Sequence, residues 1–192
     1  MQGKALLYKT EGIIIKKTNF GEFDRLLTIY TKDFGKLLVK VKSVRKEKAK
    51  LKGHLELFNH SHLMIAPGRG FDIVTGAETI NGFFDLRQNT TNLSACYYFC
   101  ELIDKLISGQ ERDERIWSLL LLSFEELGSS PLKQVTNNFE KNIINFLGYG
   151  NYENDFIDFV QSLLKEPIKS HQLLTECYLR TIKYDKEEMN NE

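Results

Sequence analysis

Three cysteines in 192 residues are too few for a disulfide framework. Cys96 and Cys100 stand four apart in a helical pattern and Cys177 is isolated, so there is no paired Cys-x-x-Cys zinc site, and buried thiols are the reading that remains. Long apolar runs are missing as well: no stretch approaches the roughly 20 apolar residues of a membrane span. The start, Met1 to Thr10, lacks the apolar centre of a signal peptide. The expected location is therefore cytoplasmic, with no membrane partner. Neither G-x-x-x-x-G-K-[ST] nor G-x-G-x-x-G occurs, and Gly68-Arg69-Gly70 is too short for a phosphate loop and reads as a turn. His60 and His62 alternate on an expected strand, two imidazoles on one side with no third ligand in the sequence to complete a metal site. Glu22, Asp24 and Asp33 are acids flanking strands, with no second motif to make them a carboxylate site. No enzyme, no metal and no cofactor is expected.

Net charge is absent too, but only as a total. The chain holds 26 basic and 26 acidic residues, yet residues 1–80 carry 15 Lys and Arg against 8 Asp and Glu, leaving 11 against 18 in residues 81–192. Halves of opposite sign point to two modules with different partners, the basic one suited to a polyanion. The excess concentrates between Gly35 and Gly53, where nineteen positions hold eight basic residues and one acid. Its first part alternates Leu37, Val39 and Val41 with Lys36, Lys40 and Lys42, the period of a half-buried strand with its lysines on the wet face. After Ser43 the alternation stops, and Arg45, Lys46, Lys48, Lys50 and Lys52 follow in a loop or short helix. A charged edge also blocks aggregation, so a purely solvated edge is the plain alternative.

Up to residue 80 the signals are strands and turns. The runs are 12–18, 24–31, the basic strand, a fourth from Leu55 to Ala66, and 71–79, with turns at 19–22, at 32–35 and at Pro67-Gly68-Arg69-Gly70. Five strands with a longer third connection suit a small closed barrel of the OB type, although an SH3-like barrel or a small sandwich gives a similar string. Beyond Asn81-Gly82 the period becomes helical. Stripes run through Cys96, Phe99, Cys100, Ile103 and Ile107, through Ile116, Leu120, Phe124 and Leu127, and through Val135, Phe139, Ile143 and Phe146. Phe156, Phe159, Val160 and Leu163 form another, and Leu174, Cys177, Tyr178 and Ile182 the last. The expectation is an α+β chain: a five-stranded OB-type barrel over 1–81 as the nucleic-acid-binding domain, an all-α helical domain over 82–185, and a polar tail at 186–192.

A barrel that binds nucleic acid needs a cationic track and aromatic platforms. The track is Lys16, Lys17, Arg25, Lys36, Lys40, Lys42, Arg45, Lys46, Lys48, Lys50, Lys52 and Arg69. Phe20, Phe34 and Phe71, all beside turns, are the base-stacking candidates, with burial in the barrel as their plain alternative. The helical stripes are core by the same reasoning. The run Leu119 to Leu122 and the pair Tyr97-Tyr98 put apolar groups all round their helices, which burial in a bundle or a peptide groove explains equally.

Several stretches, in order and spacing, resemble the RecO family of bacterial DNA-repair and recombination-mediator proteins: Thr10 to Ile15, Phe20 to Thr31, Gly35-Lys36 with the basic segment, and Leu55 to Phe58. The likeness continues through Tyr97-Tyr98 to Leu106, Phe139-Glu140, and Phe146-Leu147-Gly148-Tyr149. The resemblance implies an OB fold followed by a helical domain, with no catalytic centre. It implies binding of single- and double-stranded DNA, annealing of strands coated with single-strand-binding protein, and, with RecR as partner, assistance to RecA loading at the nucleoid. Carried over residue by residue, it assigns DNA contacts to Arg25, Lys36, Arg45, Lys46 and Lys50. It also implies a pocket in the helical domain, with apolar floor and basic rim, for the acidic tail of single-strand-binding protein. Many members insert a cysteine-bearing zinc module after the Leu-Gly-Tyr signature; here Gly148 to Asp155 runs on without Cys, so no zinc is expected. The alternative is a protein-binding adaptor whose basic barrel docks an acidic partner.

Overall fold

The computed structural model describes residues 7–150 and 155–189, without the side chains of residue 182 and residues 184–189. Residues 1–6, Asn151 to Asn154 in the stretch without cysteine, residues 190–192 of the tail, and the side chains of Ile182 in the last stripe and of tail residues 186–189 lie outside the described part.

Alternating apolar residues in the first part of the chain form five strands, β1 (Tyr8–Phe20), β2 (Asp24–Thr31), β3 (Gly35–Val41), β4 (His60–Ala66) and β5 (Asp72–Asn81). They close in the order β1-β2-β3-β5-β4, antiparallel except for a short parallel pairing of β3 with β5, which makes a mixed five-stranded barrel of the OB type. The β2–β3 register sets Leu27 opposite Val39 and Ile29 opposite Leu37, so one parity of each strand faces inward. Those four with Ile14, Leu63, Ile65 and Val74 make the barrel core.

Three departures from simple alternation have physical causes. The run from Leu55 is not all strand. Gly53–Leu55 is a single 3-10 turn, Phe58 sits at φ 72°, and only His60 onward joins the sheet. Leu55 and Phe58 are buried, and the Phe58 N–H donates to the Ile14 carbonyl, so this stretch is held by packing and by β1. The first hairpin turns later than the polar residues at 19–22 suggest: Asn19 and Phe20 pair with Arg25 and Asp24, and the reversal falls at Gly21, at φ 61°. Finally, Ile13, Ile14 and Ile15 are all buried, which one inward face cannot explain. Ile13 lies in one row with Tyr30 of β2 and His60 of β4, and this outer row is covered by the segment Ile107–Trp117, which clusters with the barrel. The Trp117 ring stands 5.4 Å from that of His60. At Gly35, with φ 63°, a side-chain carbon would stand 2.2 Å from the Glu111 carbonyl oxygen, so this turn needs glycine on both counts.

The period change after residue 82 gives six α-helices among the described residues: α1 (Phe84–Gln88), α2 (Thr90–Leu106), α3 (Glu114–Glu126), α4 (Leu132–Phe146), α5 (Phe156–Leu164) and α6 (Lys169–Met189). The chain divides into two units, Met1–Phe83 with Ile107–Trp117, and Phe84–Leu106 with Ser118–Glu192. In the helical unit, stripe residues meet as expected of a core: Phe99 stacks on Phe139 with ring centres 4.2 Å apart. Tyr98 is buried whereas Tyr97 is exposed, and Leu119 and Leu120 are buried whereas Leu122 is exposed. Glu101 of α2 ties down the start of α6, accepting hydrogen bonds from the Lys169 and Ser170 N–H groups at 3.2 and 2.7 Å and pairing with Lys105 at 3.2 Å. Burial works against its charge, but these donors hold its carboxyl below the usual range. No helix among the described residues is long and apolar enough to cross a membrane.

Candidate nucleic-acid interface

The expected cations fall into three environments. Lys16, Lys40 and Lys42 share a parity with Phe20, Leu26 and Leu38 on the outer face of β1, β2 and β3, and Lys36 belongs to the same row of β3. Leu38 interrupts the lysines of β3 and is 47% exposed, so this face is mixed basic and apolar. Lys40 is held on it: its ammonium meets Asp24 at 2.8 Å and lies 4.8 Å from the centre of the Phe20 ring. The Lys40 hydrogen bond, then that from the Ser43 N–H, holds the Asp24 carboxyl below the usual carboxylate range.

Lys17 and Arg25 have the other parity and turn elsewhere. Both reach Glu56 beside the 3-10 turn, Lys17 in a direct ion pair and Arg25 at 3.7 Å. The structure therefore does not bring these two onto the face of Lys40, and a local carboxylate already answers their charge. Arg69 is exposed on the β4–β5 turn.

The third group lies on residues 42–52, a chain of short turns rather than a regular element. Lys46, Ala49 and Lys52 donate their N–H groups to the carbonyls of Ser43, Lys46 and Ala49. Buried Val44 and half-buried Leu51 pin the segment to the barrel core. Two contacts at its start fix its course: Ser43 at φ 53° donates its N–H to Asp24 at 2.7 Å, and the Arg45 guanidinium donates to the carbonyls of Gly21 and Glu22 at 3.3 and 3.0 Å. Arg45 N–H donates to the Phe23 carbonyl at 2.9 Å, so the β1–β2 turn is tied to the basic segment at three successive carbonyls. The outcome is a shallow hollow of about 270 Å³ lined by Lys42, Lys46, Lys48 and Lys50. Lys42, Lys46, Lys48, Lys50 and Lys52 are exposed and form no ion pair among the described residues.

The aromatic candidates separate too. Phe20 is 39% exposed and meets Phe71 edge-on at 5.9 Å, so the β1–β2 and β4–β5 turns meet at one aromatic pair. Phe34 instead packs against Tyr8 at 4.9 Å and against the barrel core, away from the others. Sequence reasoning missed Phe23, which is 40% exposed with the Lys46 ammonium 5.3 Å from its ring centre. Its signal was available: a phenylalanine after Gly21-Glu22 has no alternating partner to bury it.

The acids and histidines singled out in the sequence lie apart from one another. Asp24 and Asp33 lie at opposite ends of β2, Asp33 accepting from the Thr10 hydroxyl at 2.8 Å. His60 is buried, with Glu11 at 3.3 Å, while His62 is exposed, so the two imidazoles see different surroundings. No group of three His, Cys, Asp or Glu side chains suited to a metal occurs among the described residues. Burial pushes the Cys96 thiol up to about 12, far from a reactive thiolate. A wider groove of about 640 Å³ beside β4 carries both signs, with Lys9 and Lys32 against Glu11, Asp33 and Glu78, and does not continue the basic track. In the helical unit a hollow of about 260 Å³ is walled by Leu132, Phe156, Ile157 and Leu174. Burial pushes its Glu140 up to about 7 and the His171 imidazole down, and the Tyr98 hydroxyl donates to Glu140 at 2.6 Å.

Comparison with known proteins bears on both units. Residues 1–83 match the model of the recombination protein O N-terminal region and residues 87–153 that of its C-terminal region. Proteins named DNA repair protein RecO are similar over most of this chain: that of Dehalococcoides mccartyi strain CBDB1 is 41% identical over 145 residues, 74% of this chain and 56% of the relative. Its counterpart from strain 195 of that species is 38% identical over 143 residues, again 74% and 56%. That of Roseiflexus sp. strain RS-1 is 37% identical over 144 residues, 74% of this chain and 50% of the relative. The chain thus spans about half the length of the curated relatives it matches. With its barrel and its helices each matched in turn, the chain belongs to the RecO family.

Proposed function

We propose that this chain is a non-enzymatic DNA-binding protein of recombinational repair, which binds single- and double-stranded DNA, anneals complementary strands and, with RecR, assists RecA loading. The observation that carries this reading is the group of five exposed lysines at 42–52 that form no ion pair among the described residues, beside a face of β1–β3 that adds Lys16 and exposed aromatics. Ammonium groups so placed exchange condensed counterions for phosphates, and neutralising two strands at once lowers the repulsion that opposes pairing. Residues 1–81 serve in this reading as the DNA module, in a protein that works in the cytoplasm at the nucleoid, and the helical residues 82–185 serve partner proteins.

The hollow between α4, α5 and α6 has the apolar walls that an acidic tail of single-strand-binding protein requires. Glu140 and Asp155 line it alongside Lys133, however, which disfavours such a tail there. Contact with single-strand-binding protein is accordingly assigned to the same proposal without a site.

The test is annealing of two complementary labelled oligonucleotides coated with single-strand-binding protein, with and without the chain, across a salt series. Acceleration that fades as salt rises is the expected result. Five engaged lysines correspond to a slope of about −3 to −4 in log affinity against log salt on single strands. Absence of both acceleration and DNA retention by the folded protein would overturn the reading in favour of an adaptor whose basic barrel docks an acidic protein.

A further inference from the structure

Phe23 is an expensive residue to leave in water at a turn, and nothing about the turn is loose. Its carbonyl and those of Gly21 and Glu22 are all taken by Arg45, so the ring projects from a backbone fixed at three successive positions. The ring is 40% exposed, a lysine without an ion pair among the described residues stands over it at 5.3 Å, and three residues earlier Phe20 repeats the pattern with Lys40 at 4.8 Å. Exposed Leu38, on the same outer face as Phe20, extends the apolar ground. A surface built only for phosphate has no use for two phenyl rings and a leucine, because duplex DNA offers it charge on the outside and keeps its bases stacked. A single strand offers both groups in each nucleotide, a π-face and a phosphate.

We infer that Phe23, supported by Phe20, is a base-stacking subsite for unstacked nucleobases, and that it gives this barrel a preference for single-stranded over double-stranded DNA. This rests on the DNA-binding reading above and adds strand selectivity to it. Lys46 serves both states: in the free protein its ammonium lies over the phenyl face, and in the complex the base takes the ring while the ammonium moves to a phosphate. Lys40 is less free to do so, because Asp24 also holds it, which makes Phe23 the principal platform and Phe20 the secondary one.

Fluorescence-anisotropy titration of the whole chain with a labelled single strand and with the matching duplex tests this, comparing wild type, Phe23→Leu and Phe23→Trp. Loss of one stacked base weakens single-strand binding about tenfold in Phe23→Leu. Duplex affinity stays within about twofold and the salt slope is unchanged, because no phosphate contact is lost. Phe23→Trp restores single-strand affinity and gains indole emission that the single strand quenches; Trp117, buried against the barrel, supplies only a background. Unchanged single-strand affinity in Phe23→Leu overturns the inference, as does an equal fall on strand and duplex. Failure of the wild type to retain either DNA strikes instead at the DNA-binding reading. The exposed position makes misfolding of Phe23→Leu an unneeded explanation, which its melting curve checks.

Discussion

Acids of the barrel and acids of the helical unit are put to different work. In the barrel two of them meet cations: Asp24 anchors Lys40 and the Ser43 N–H, and Glu56 holds Lys17 and Arg25. In the helical unit two acids bind helices to each other, Glu101 at the start of α6, where it also pairs with Lys105, and Glu140 under the Tyr98 hydroxyl. The first use trims the cations that a polyanion can reach to those with no acid nearby. On the DNA-binding reading proposed above, the positive balance of residues 1–80 therefore overstates the available charge, because Asp24 and Glu56 already pair with Lys40, Lys17 and Arg25.

The sharpest way to break that contrast is charge reversal in each unit. The triple change Lys46→Glu, Lys48→Glu and Lys50→Glu is expected to weaken retention of a labelled single strand by at least a hundredfold at low salt, with melting unchanged, since none of the three is buried. The matching change in the helical unit, Lys133→Glu, Lys141→Glu and Lys165→Glu, is expected to leave retention within about threefold. Equal losses from both would mean that the whole chain, and not the barrel segment, meets DNA.

Glycine replacement separates the units on stability. Gly35→Ala combines φ 63° with a carbon placed 2.2 Å from the Glu111 oxygen, so urea unfolding should show a loss of about 2–4 kcal/mol. Gly128→Ala in the helical unit meets Leu86 at 3.9 Å, an ordinary contact, and should change stability by no more than about 0.5 kcal/mol. A mild Gly35→Ala would mean that the segment Ile107–Trp117 yields easily.

Gly35 also marks the limit of what could be read from residues alone. The barrel was legible because Leu37, Val39 and Val41 alternate with lysines, and the helices because their stripes recur at three and four residues. Ile107–Trp117 was not: its contact with the outer row of Ile13, Tyr30 and His60 joins positions far apart in the chain, and local period carries no trace of it. Leu55 to Phe58 misled for the opposite reason, since four mostly apolar residues look alike in a strand and in an irregular packed stretch that follows a 3-10 turn. At the candidate site, the cationic segment was plain in composition. Which cations are spoken for was not, because Glu56 lies 39 positions from Lys17. Phe34 shows the same limit for aromatics: its place beside a turn said nothing of Tyr8 beneath it.

Acid titration sharpens the comparison further. Burial raises Glu140 to about 7, so the folded helical unit holds a proton that the unfolded chain has released above its ordinary carboxylate range. Stability there falls as pH climbs from about 4.5 to 7 and is level above that. Glu140→Gln keeps an acceptor for Tyr98 and removes the charge; at pH 8 it should stabilise the unit by on the order of 2 kcal/mol, with no gain at pH 4. Asp24 runs the other way, because its folded carboxyl titrates low: its contribution is present above the ordinary carboxylate range and is lost as pH falls through the lowered value. Melting temperatures at pH 4, 6 and 8 for wild type and Glu140→Gln decide the matter, and a gain from the variant at pH 4 would remove burial of the charge as the cause.

The smallest effect expected is also the one that tests how the two uses of acid meet on one surface. Asp24→Asn retains an oxygen for the Ser43 N–H, so the course of the basic segment is kept, but it releases Lys40 from its counterion. The freed ammonium still lies beside Phe20, on the outer face with Lys42, and adds one phosphate contact. Affinity for a single strand should rise about two- to threefold at low salt, and the salt slope should steepen by about 0.7, the value for a single added contact on a single strand. A fall in affinity would show that the Asp24–Lys40 pair matters for shape more than for charge, and Lys40 would then belong with Lys17 and Arg25 among the structural cations of the barrel.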